Sequence, residues 1–306
     1  MVNIGQYVRY PYRVFLPLAS RGLFKSMSDK TYLKLMFHAR MGYKLNLKDP
    51  QTFNEKLQWL KLYDRKPEYT AMVDKYEAKK YVADRIGKEY IIPTLGVWDS
   101  FDDIDFNELP SQFVLKCTHD SGGLVICKDK DQFDIGEARV KIEKSLNNNY
   151  YLWCREWPYK NVKPRIIAEQ YMANEDEAAS NSGLIDYKFY CFNGNPKYLY
   201  VSQGMDNHET AKLSFATIDW TIAPFGRNDY PPLNSLPKRP SHFSEMVDIA
   251  KQLSHGHPFL RVDLYEINNR VYFSELTFSP CAGFMQFEPE EYDFKLGSML
   301  ELPEKK

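Results

Sequence analysis

The chain has 306 residues, of which 43% are hydrophobic, and it carries 40 Lys and Arg against 41 Asp and Glu, a net charge of −1. A chain of this length and apolar content can bury a large core, as one large domain or two closely packed ones, so a disordered chain is excluded. The balanced charge provides no global field for a polyanion, which disfavours nucleic acid as a partner.

Cysteine usage and hydropathy favour a cytoplasmic protein. The five cysteines are odd in number and widely spaced, without a Cys-x-x-Cys pair, as expected of reduced thiols. No run of about 20 apolar residues is present, which argues against a spanning helix. The segment 7–25 mixes basic and aromatic residues and allows peripheral contact with the inner face of the membrane. Pro11 and Pro17 favour ordinary packing of an N-terminal arm instead.

The first part of the chain carries helix signals. Ser28 is placed to cap a helix that ends at Gly42, and Thr52-Phe-Asn-Glu55 is a capping box that opens a second helix. A third helix is predicted from near Pro67 to Ile86, ending at Gly87.

The pattern then changes to short strands, with helices predicted near 135–146 and 242–253. Several connections, such as Asn193-Gly194, are too short for a parallel crossover, so the predicted fold class is α+β with mainly antiparallel sheets. The segment Ala173 to Gly183 is small, polar and acidic, and predicts a mobile loop. Strands are predicted over residues 112–117, 124–128, 165–172, 187–192, 198–203, 213–219, 259–267 and 271–277.

The last two predicted strands carry charged residues two apart. Arg261, Asp263, Glu275 and Thr277 would project from one face if the strands pair in the right register, since side chains alternate along a strand. Two facing carboxylates repel unless a cation lies between them, and oxygen ligands of this kind suit Mg²⁺. A solvated hairpin surface is the alternative.

The register of this hairpin decides between the two interpretations. A turn made by Asn268 and Asn269 alone would place Asp263 and Glu275 on opposite faces. We therefore predict an odd-length connection or a bulge between the strands.

A second polar motif lies upstream. Lys116 ends a predicted strand and is followed by the glycine loop Ser121-Gly122-Gly123. Glycines let backbone amides approach a phosphate, and the lysine would neutralise it, although a plain hairpin turn has the same sequence. The strand 166–172 ends in polar residues and could offer its backbone to an adenine edge.

The order of these motifs resembles the ATP-grasp superfamily. The segments FNEKLQWLKLYDR, DKYEAKKYVADRIG, IPTLGVW, FVLKCTHDSGG, DYKFYCFNG, RVDLY and FSELTFSPCAGF are similar to its TupA-like branch, which is named for teichuronopeptide biosynthesis. The resemblance extends from about Leu45 to Leu302 and implies an ATP-grasp fold, with two α+β subdomains clasping ATP.

The resemblance also implies roles for individual residues. It implies Arg261 and Lys188 as catalytic residues, and ATP and Mg²⁺ as cofactors. Metal ligands would be Asp263, Glu275 and Thr277, the last in place of the family's usual asparagine. Nucleotide contacts would be Lys75, Lys116, Ser121, Gly122, Gly123, Glu169, Gln170, Tyr171, Met172 and Asp186.

The implied organisation is a helical N-terminal region over 1–70, a first ATP-grasp subdomain with the glycine loop over 71–168, and a second with the metal site over 169–306. The implied function is an ADP-forming carboxylate-amine ligase with an acyl-phosphate intermediate, whose partners are a carboxylate-bearing saccharide or polymer precursor and an amine. The alternatives are a nucleotide-sugar glycosyltransferase, for which Asp103-Ile-Asp105 offers a weak motif, and a non-catalytic nucleotide-binding regulator.

Overall fold

The computed structural model describes residues 10–174, 184–204 and 211–305. Residues 7–9 of the basic-aromatic arm and residues 175–183 of the acidic loop lie outside this described part. The helices are α1 (Phe15–Ser20), α2 (Asp29–Met41), α3 (Phe53–Tyr63), α4 (Glu68–Val73), α5 (Glu77–Ile86), α6 (Ile135–Leu146), α7 (Tyr150–Cys154), α8 (Phe243–Ser254) and α9 (Glu291–Met299). The strands are β1 (Thr94–Trp98), β2 (Phe113–Cys117), β3 (Leu124–Cys127), β4 (Ile166–Gln170), β5 (Asp186–Phe192), β6 (Asn195–Gln203), β7 (Lys212–Thr217), β8 (Gly226–Arg227), β9 (Phe259–Ile267), β10 (Arg270–Thr277) and β11 (Phe287–Glu288).

The predicted helix caps are confirmed. The Ser28 hydroxyl accepts a hydrogen bond from Thr31 N, and α2 ends at Gly42 with a left-handed φ of 83°. Thr52 and Glu55 form the complete capping box of α3. These caps fix where the two N-terminal helices begin, as the sequence indicates.

The prediction of one helix from Pro67 to Ile86 is wrong, because the chain breaks at Asp74. The backbone of Asp74 is extended, with ψ 116°, and its carboxylate accepts hydrogen bonds from Tyr76 N at 2.8 Å and Glu77 N at 3.3 Å. An Asp side chain that satisfies nearby amide groups competes with the helical hydrogen bonds. The same carboxylate also pairs with Arg165 at 2.8 Å, which holds the break in place.

Two antiparallel sheets dominate the fold, which confirms the α+β class. One sheet has the strand order β1-β4-β2-β3 and the other has the order β10-β9-β5-β6-β7, while β8 and β11 form a short pair. Strand β1 was not predicted, since Gly96 lies at an irregularity in its pairing with β4 and weakens the strand pattern. The predicted region boundary at 168 falls within β4, and the division into three regions stays a prediction.

The hairpin of β9 and β10 has the predicted bulge. Asn268 and Asn269 both have positive φ and form a two-residue turn, so that Phe273 faces Leu264. The register then shifts between Phe273 and Glu275, and Glu275 faces Asp263. The extra residue therefore brings the two carboxylates opposite each other.

The five-stranded sheet is covered on both faces. Alternate residues of β5 and β9, including Phe189, Val262 and Leu264, pack against α4, α5 and α8. The other face carries Tyr190 and Phe259 against α3 and α9. Two-residue spacing places Asp186, Lys188, Arg261 and Asp263 on this second face, beyond the aromatic cluster. The charged residues are therefore held by a sheet that is rigidly packed on both sides.

The four-stranded sheet packs one face on α6. Phe113, Leu115 and Cys117 of β2 lie in that core with Ala138 and Ile142. The alternate residues of β2, Val114 and Lys116, consequently face away from it.

Replacing the capping residue of α3 should measure how firmly this helix is anchored. We expect Thr52→Ala to lower the free energy of unfolding by about 1 kcal/mol, because its buried hydroxyl accepts from Glu55 N at 3.1 Å. Ser28→Ala is the matched control. Its exposed cap bond is longer, at 3.4 Å, so we expect a smaller loss. Urea unfolding of both variants is the measurement, and an equal or larger loss for Ser28→Ala would contradict this interpretation.

Candidate functional site

A cleft of about 240 Å³ lies between the outward face of the four-stranded sheet and the edge of the five-stranded sheet. Its lining is largely apolar, and a few polar groups converge on it, as in typical binding sites for small molecules. The cleft is lined by Ile92, Val114, Lys116, Leu124, Ile126, Lys128, Glu169, Gln170, Tyr171, Met172, Leu184, Asp186 and Tyr265.

Six residues singled out by the sequence meet in this cleft. Strand β4 runs between β1 and β2, with Glu169 opposite Thr94 and Val114, and ends at Gln170. The chain after it carries Tyr171 and Met172 along the cleft wall. The six residues are Lys116, Glu169, Gln170, Tyr171, Met172 and Asp186.

The Glu169 carboxylate is clamped between two lysines at 2.5 Å, by Lys79 on one oxygen and Lys116 on the other. Burial alone would raise the pKa of Glu169, but the attraction and hydrogen bonds of the two lysines outweigh it and lower that pKa from 4.5 to about 2. For Lys79, burial is the larger effect and lowers its pKa despite the carboxylate. The clamp keeps Glu169 ionised at the cleft wall.

The glycine loop adjoins the first predicted lysine. Lys75 Nζ donates a short hydrogen bond to the carbonyl oxygen of Asp120, and Lys75 N donates to Thr118 O at 3.0 Å. Gly122 has a φ of 131°, which a side chain would strain, and a Cβ on Gly123 would lie 2.3 Å from Ser145 Oγ. The backbone conformation therefore favours glycine at position 122, while the Ser145 side chain occupies the space that a Cβ would need at position 123. Ser121 beside them is exposed.

A strip of alternating charges crosses the five-stranded sheet. Asp186, at the cleft, accepts from Lys188 Nζ at 3.0 Å, and the same ammonium donates to Asp263 Oδ2 at 3.0 Å. Arg261 binds both Asp263 oxygens, at 2.7 and 2.6 Å, and lies 3.3 Å from Glu275 Oε2. One continuous chain of contacts thus joins the cleft to the bulged hairpin.

Burial opposes the charges of Lys188, Arg261 and Asp263, and the neighbouring charges overcome it. Burial disfavours the charged form of Asp263, but Arg261 and Lys188 lower its pKa below the ordinary value. In the same way, the carboxylates hold the pKa values of Lys188 and Arg261 well above their ordinary values. All three groups stay charged at neutral pH.

The hairpin residues fit a magnesium ion whose remaining coordination positions are filled by nucleotide phosphates. Glu275 is about one third exposed, at 32%, and the buried Thr277 Oγ1 lacks a hydrogen-bond partner among the described residues. Among the described residues, Asp263 Oδ1 accepts a hydrogen bond from Arg261 alone, so one of its lone pairs has no described donor. Within the described part of the chain, no cluster of three or more metal-ligating side chains occurs. Mg²⁺ needs none, since it commonly takes one or two carboxylates plus phosphates and water.

Several side chains at the site were not predicted from the sequence. Lys79 lies four residues after Lys75, and this spacing could have suggested it. Leu124 and Ile126 are exposed at 37% and 38% on alternate positions of β3, and both line the cleft.

A buried carboxylate, Glu156, has no local sequence pattern that would predict its importance. Tyr150 and the charge of Glu275 both affect the pKa of the buried Glu156, and Glu275 also raises the pKa of Tyr159. Burial raises the pKa of Glu156 to about 7, although Lys61 opposes the shift. These residues belong to α7 and the turn after it, far from the hairpin in sequence.

Comparison with known proteins identifies a family. The family model described as TupA-like ATPgrasp matches residues 55–301, which confirms the resemblance seen in the sequence. A comparison with curated proteins gives no match.

Several solved structures are similar to the chain. D-alanine-D-alanine ligase from Helicobacter pylori is 16% identical with a TM-score of 0.40, and the match covers 81% of this chain and 69% of that one. The ATP-grasp ligase PsnB, complexed with a phosphomimetic variant of its minimal precursor, Mg and ADP, is 10% identical with a TM-score of 0.41, covering 85% and 65%. A RimK domain ATP-grasp protein from Sphaerobacter thermophilus is 10% identical with a TM-score of 0.41, covering 78% and 70%. The chain thus spans roughly two thirds of the length of these three structures.

No helix in the described residues combines the length and apolar character needed to cross a membrane.

The pH dependence of stability should report the Glu169 clamp. A carboxylate whose pKa falls from 4.5 to about 2 on folding stabilises the protein fully above pH 4.5, and this stabilisation is lost as the pH falls towards 2. We expect Glu169→Gln to lower the free energy of unfolding by roughly 3 kcal/mol at pH 7 and by clearly less at pH 2.5. Exposed Glu291→Gln is the control, with little effect at either pH. A deficit for Glu169→Gln that is the same at both pH values would exclude the clamp as its origin.

Proposed function

The chain belongs to the TupA-like ATP-grasp family, and from this premise we propose that it is an ATP- and Mg²⁺-dependent, ADP-forming carboxylate-amine ligase. The observation that carries the proposal is the unbroken contact chain from the apolar cleft, through Asp186 and Lys188, to Asp263, Arg261 and Glu275. A nucleotide base in the cleft would have its phosphates directed along this strip.

The cleft suits the adenosine part of ATP. The apolar side chains Leu124 and Ile126 would cover the faces of the base, while the backbone of residues 169–172 offers hydrogen-bonding groups along its edge. Asp186 would accept hydrogen bonds from the ribose hydroxyls. Lys116, at the same cleft, would contact the phosphates, with Glu169 holding its ammonium group in position.

The glycine loop would lie over the triphosphate. Lys75 already contacts the loop backbone at Asp120, and Gly122 and Gly123 leave the backbone free of side chains. Amide groups of Ser121 to Gly123 would donate to phosphate oxygens, as backbone amides do in other anion sites.

The hairpin would hold the metal. Asp263, Glu275 and Thr277 are the proposed ligands, with the phosphates supplying further oxygens. When bound, Mg²⁺ neutralises phosphate charge during phosphoryl transfer.

The reaction activates a carboxylate, which is a poor electrophile. An oxygen of the carboxylate substrate attacks the γ-phosphorus, the bond from that phosphorus to the β–γ bridging oxygen breaks, and ADP leaves. The amine then attacks the acyl carbon, the bond to the phosphate oxygen breaks, and phosphate leaves while the nitrogen loses a proton to solvent. Arg261 and Lys188 would stabilise the negative charge that develops during transfer, and Asp263 keeps both in place.

The substrates follow from the family's name alone. We propose a carboxylate-bearing saccharide or polymer precursor as the acid, joined to an amine during synthesis of a cell-surface polysaccharide in the cytoplasm at the inner face of the membrane. The glycosyltransferase alternative has no support in the site, since Asp103 and Asp105 are exposed and do not line the cleft.

Removing the charge of Lys116 tests the nucleotide assignment. We expect Lys116→Met to weaken ATP binding about tenfold or more, because a phosphate contact is lost and Glu169 keeps only Lys79. Lys163→Met is the control, since Lys163 pairs with exposed Asp99 outside the cleft and should leave ATP affinity unchanged. Calorimetric titration with Mg-ATP is the measurement. Equal affinities for wild type and Lys116→Met would exclude Lys116 from the nucleotide site.

Hydroxylamine trapping tests the reaction. With ATP, Mg²⁺, an oligomeric uronic acid and hydroxylamine as the amine, the wild type should form a hydroxamate together with ADP and phosphate. Glu275→Gln should reduce this rate by roughly 10²-fold or more while ATP still binds, and Arg261→Met should lower kcat more than it weakens ATP binding.

Glu266→Gln is the matched control, because Glu266 belongs to the same hairpin but binds the backbone of residues 241 and 242 at its other end. It should leave hydroxamate formation unchanged. ADP release that does not depend on the acid would refute the proposed ligase activity. Release of a nucleoside diphosphate only from a sugar nucleotide would also refute it.

A further inference from the structure

A second concave surface, of about 570 Å³, lies away from the cleft. Its walls come from the N-terminal segment, α2, α7 and the chain that follows the turn Pro280–Gly283. We name it the arginine groove, after Arg13 and Arg40, which line it with the aromatic rings of Trp153 and Phe284.

Within the part of the chain that the structure describes, the two arginines of the groove differ from their neighbours in having no counter-ion. Nearby Arg65 and Arg155 both pair with Asp29, at 2.8 and 3.8 Å. Among the described residues, neither Arg13 nor Arg40 forms an ion pair. Two unpaired guanidinium groups in one concavity give it a local positive charge in a chain whose net charge is −1.

Arg40 is positioned by contacts with aromatic rings and not by an ion pair within the described residues. Its guanidinium carbon lies 5.6 Å from the centre of the Trp153 ring and 5.1 Å from that of Phe284. Its backbone carbonyl oxygen also accepts from Gln286 Nε2 at 3.3 Å. Stacking of this kind orients a guanidinium plane while its N–H groups stay available, and Trp153 remains 39% exposed.

A short turn with left-handed backbone, Pro280–Gly283, precedes one wall of the groove. Cys281 and Ala282 both have left-handed φ, at 49° and 53°, and Phe284 follows two residues later. Lys61 Nζ ties the turn to α7 by donating to Ala282 O at 2.6 Å and Cys154 O at 3.0 Å. Such strained backbone, held by surrounding contacts, is typical of functional sites.

We propose that the arginine groove binds the saccharide chain of a carboxylate-bearing substrate, outside the reacting residue; this rests on the proposed function above. Each guanidinium presents paired donors that match the two oxygens of a carboxylate. An exposed indole offers an apolar face beside them, which suits the ring of a sugar. Carboxylates on separate sugar residues would pair with Arg13 and Arg40. A flat membrane would not enter a concave surface, so we favour a single anionic chain.

Direct binding of a uronic acid oligomer tests this without any turnover. We expect a fluorescent oligogalacturonate to bind the full-length wild type in the absence of ATP, measured by fluorescence anisotropy. Arg40→Gln and Arg13→Gln should each weaken binding about tenfold, and Arg40→Lys should restore part of it, because charge remains but the paired donors do not. Arg21→Gln is the matched control, since Arg21 is exposed on the same segment and does not line the groove.

The outcomes separate this proposal from the ligase. Binding that depends on the two arginines, without acid-dependent ADP formation, would support the proposed role of the groove and refute the proposed ligase activity. Acid-dependent ADP formation whose KM for the oligomer is unchanged in both arginine variants would retain the ligase and overturn the groove. Three results would each overturn the proposed role of the groove. They are absence of binding, equal binding by Arg13→Gln and wild type, and binding to anionic phospholipid vesicles in place of the oligomer.

Discussion

The bidentate pair of Arg261 and Asp263 is the interaction on which the rest of the site depends. Asp263 is fully buried, and it accepts from Arg261 through both oxygens and from Lys188 through one. Breaking a buried pair by removing one partner commonly costs about 3–5 kcal/mol, because the other charge is left without compensation. Each charge in the strip therefore depends on its neighbours, and the sheet that carries them is packed on both faces. This arrangement fixes the positions of charged groups that would otherwise be costly to bury, and Asp186 joins them to the cleft.

Local sequence signals predicted the elements that depend on local chemistry. The caps at Ser28 and Thr52, and the ends of β9 and α6, follow from residues within a few positions of each boundary. Even the bulge between Phe273 and Glu275 was predictable, since a two-residue turn at Asn268 and Asn269 and facing carboxylates are incompatible without it. The break at Asp74 was not, because helical periodicity continues across it. The break is stabilised by Arg165, which lies 91 residues away in the chain.

The site was predictable only as separate motifs. Lys116, Glu169 and Asp186 come from three strands of two sheets, and no local pattern states that they meet in one cleft. The family resemblance supplied that link. The resemblance did not indicate Lys79 or Glu156. Lys79 matters because it pairs with Glu169, and Glu156 matters because it is buried and its pKa is affected by Glu275. Only the three-dimensional structure reveals these relationships. The arginine groove is a similar case, because its defining property is that neither Arg13 nor Arg40 forms an ion pair within the described residues.

In the proposed reaction, the γ-phosphoryl group of ATP is transferred to the carboxylate of the acid substrate. Transfer of ¹⁸O tests it most directly. With an acid labelled in its carboxylate oxygens and an amine acceptor, mass spectrometry of the released phosphate follows the label. An acyl-phosphate route predicts that each phosphate carries one oxygen from the acid, because the bond between the acyl carbon and that oxygen breaks when the amine attacks. Label found in AMP, or unlabelled phosphate released while the amide forms, would contradict the account.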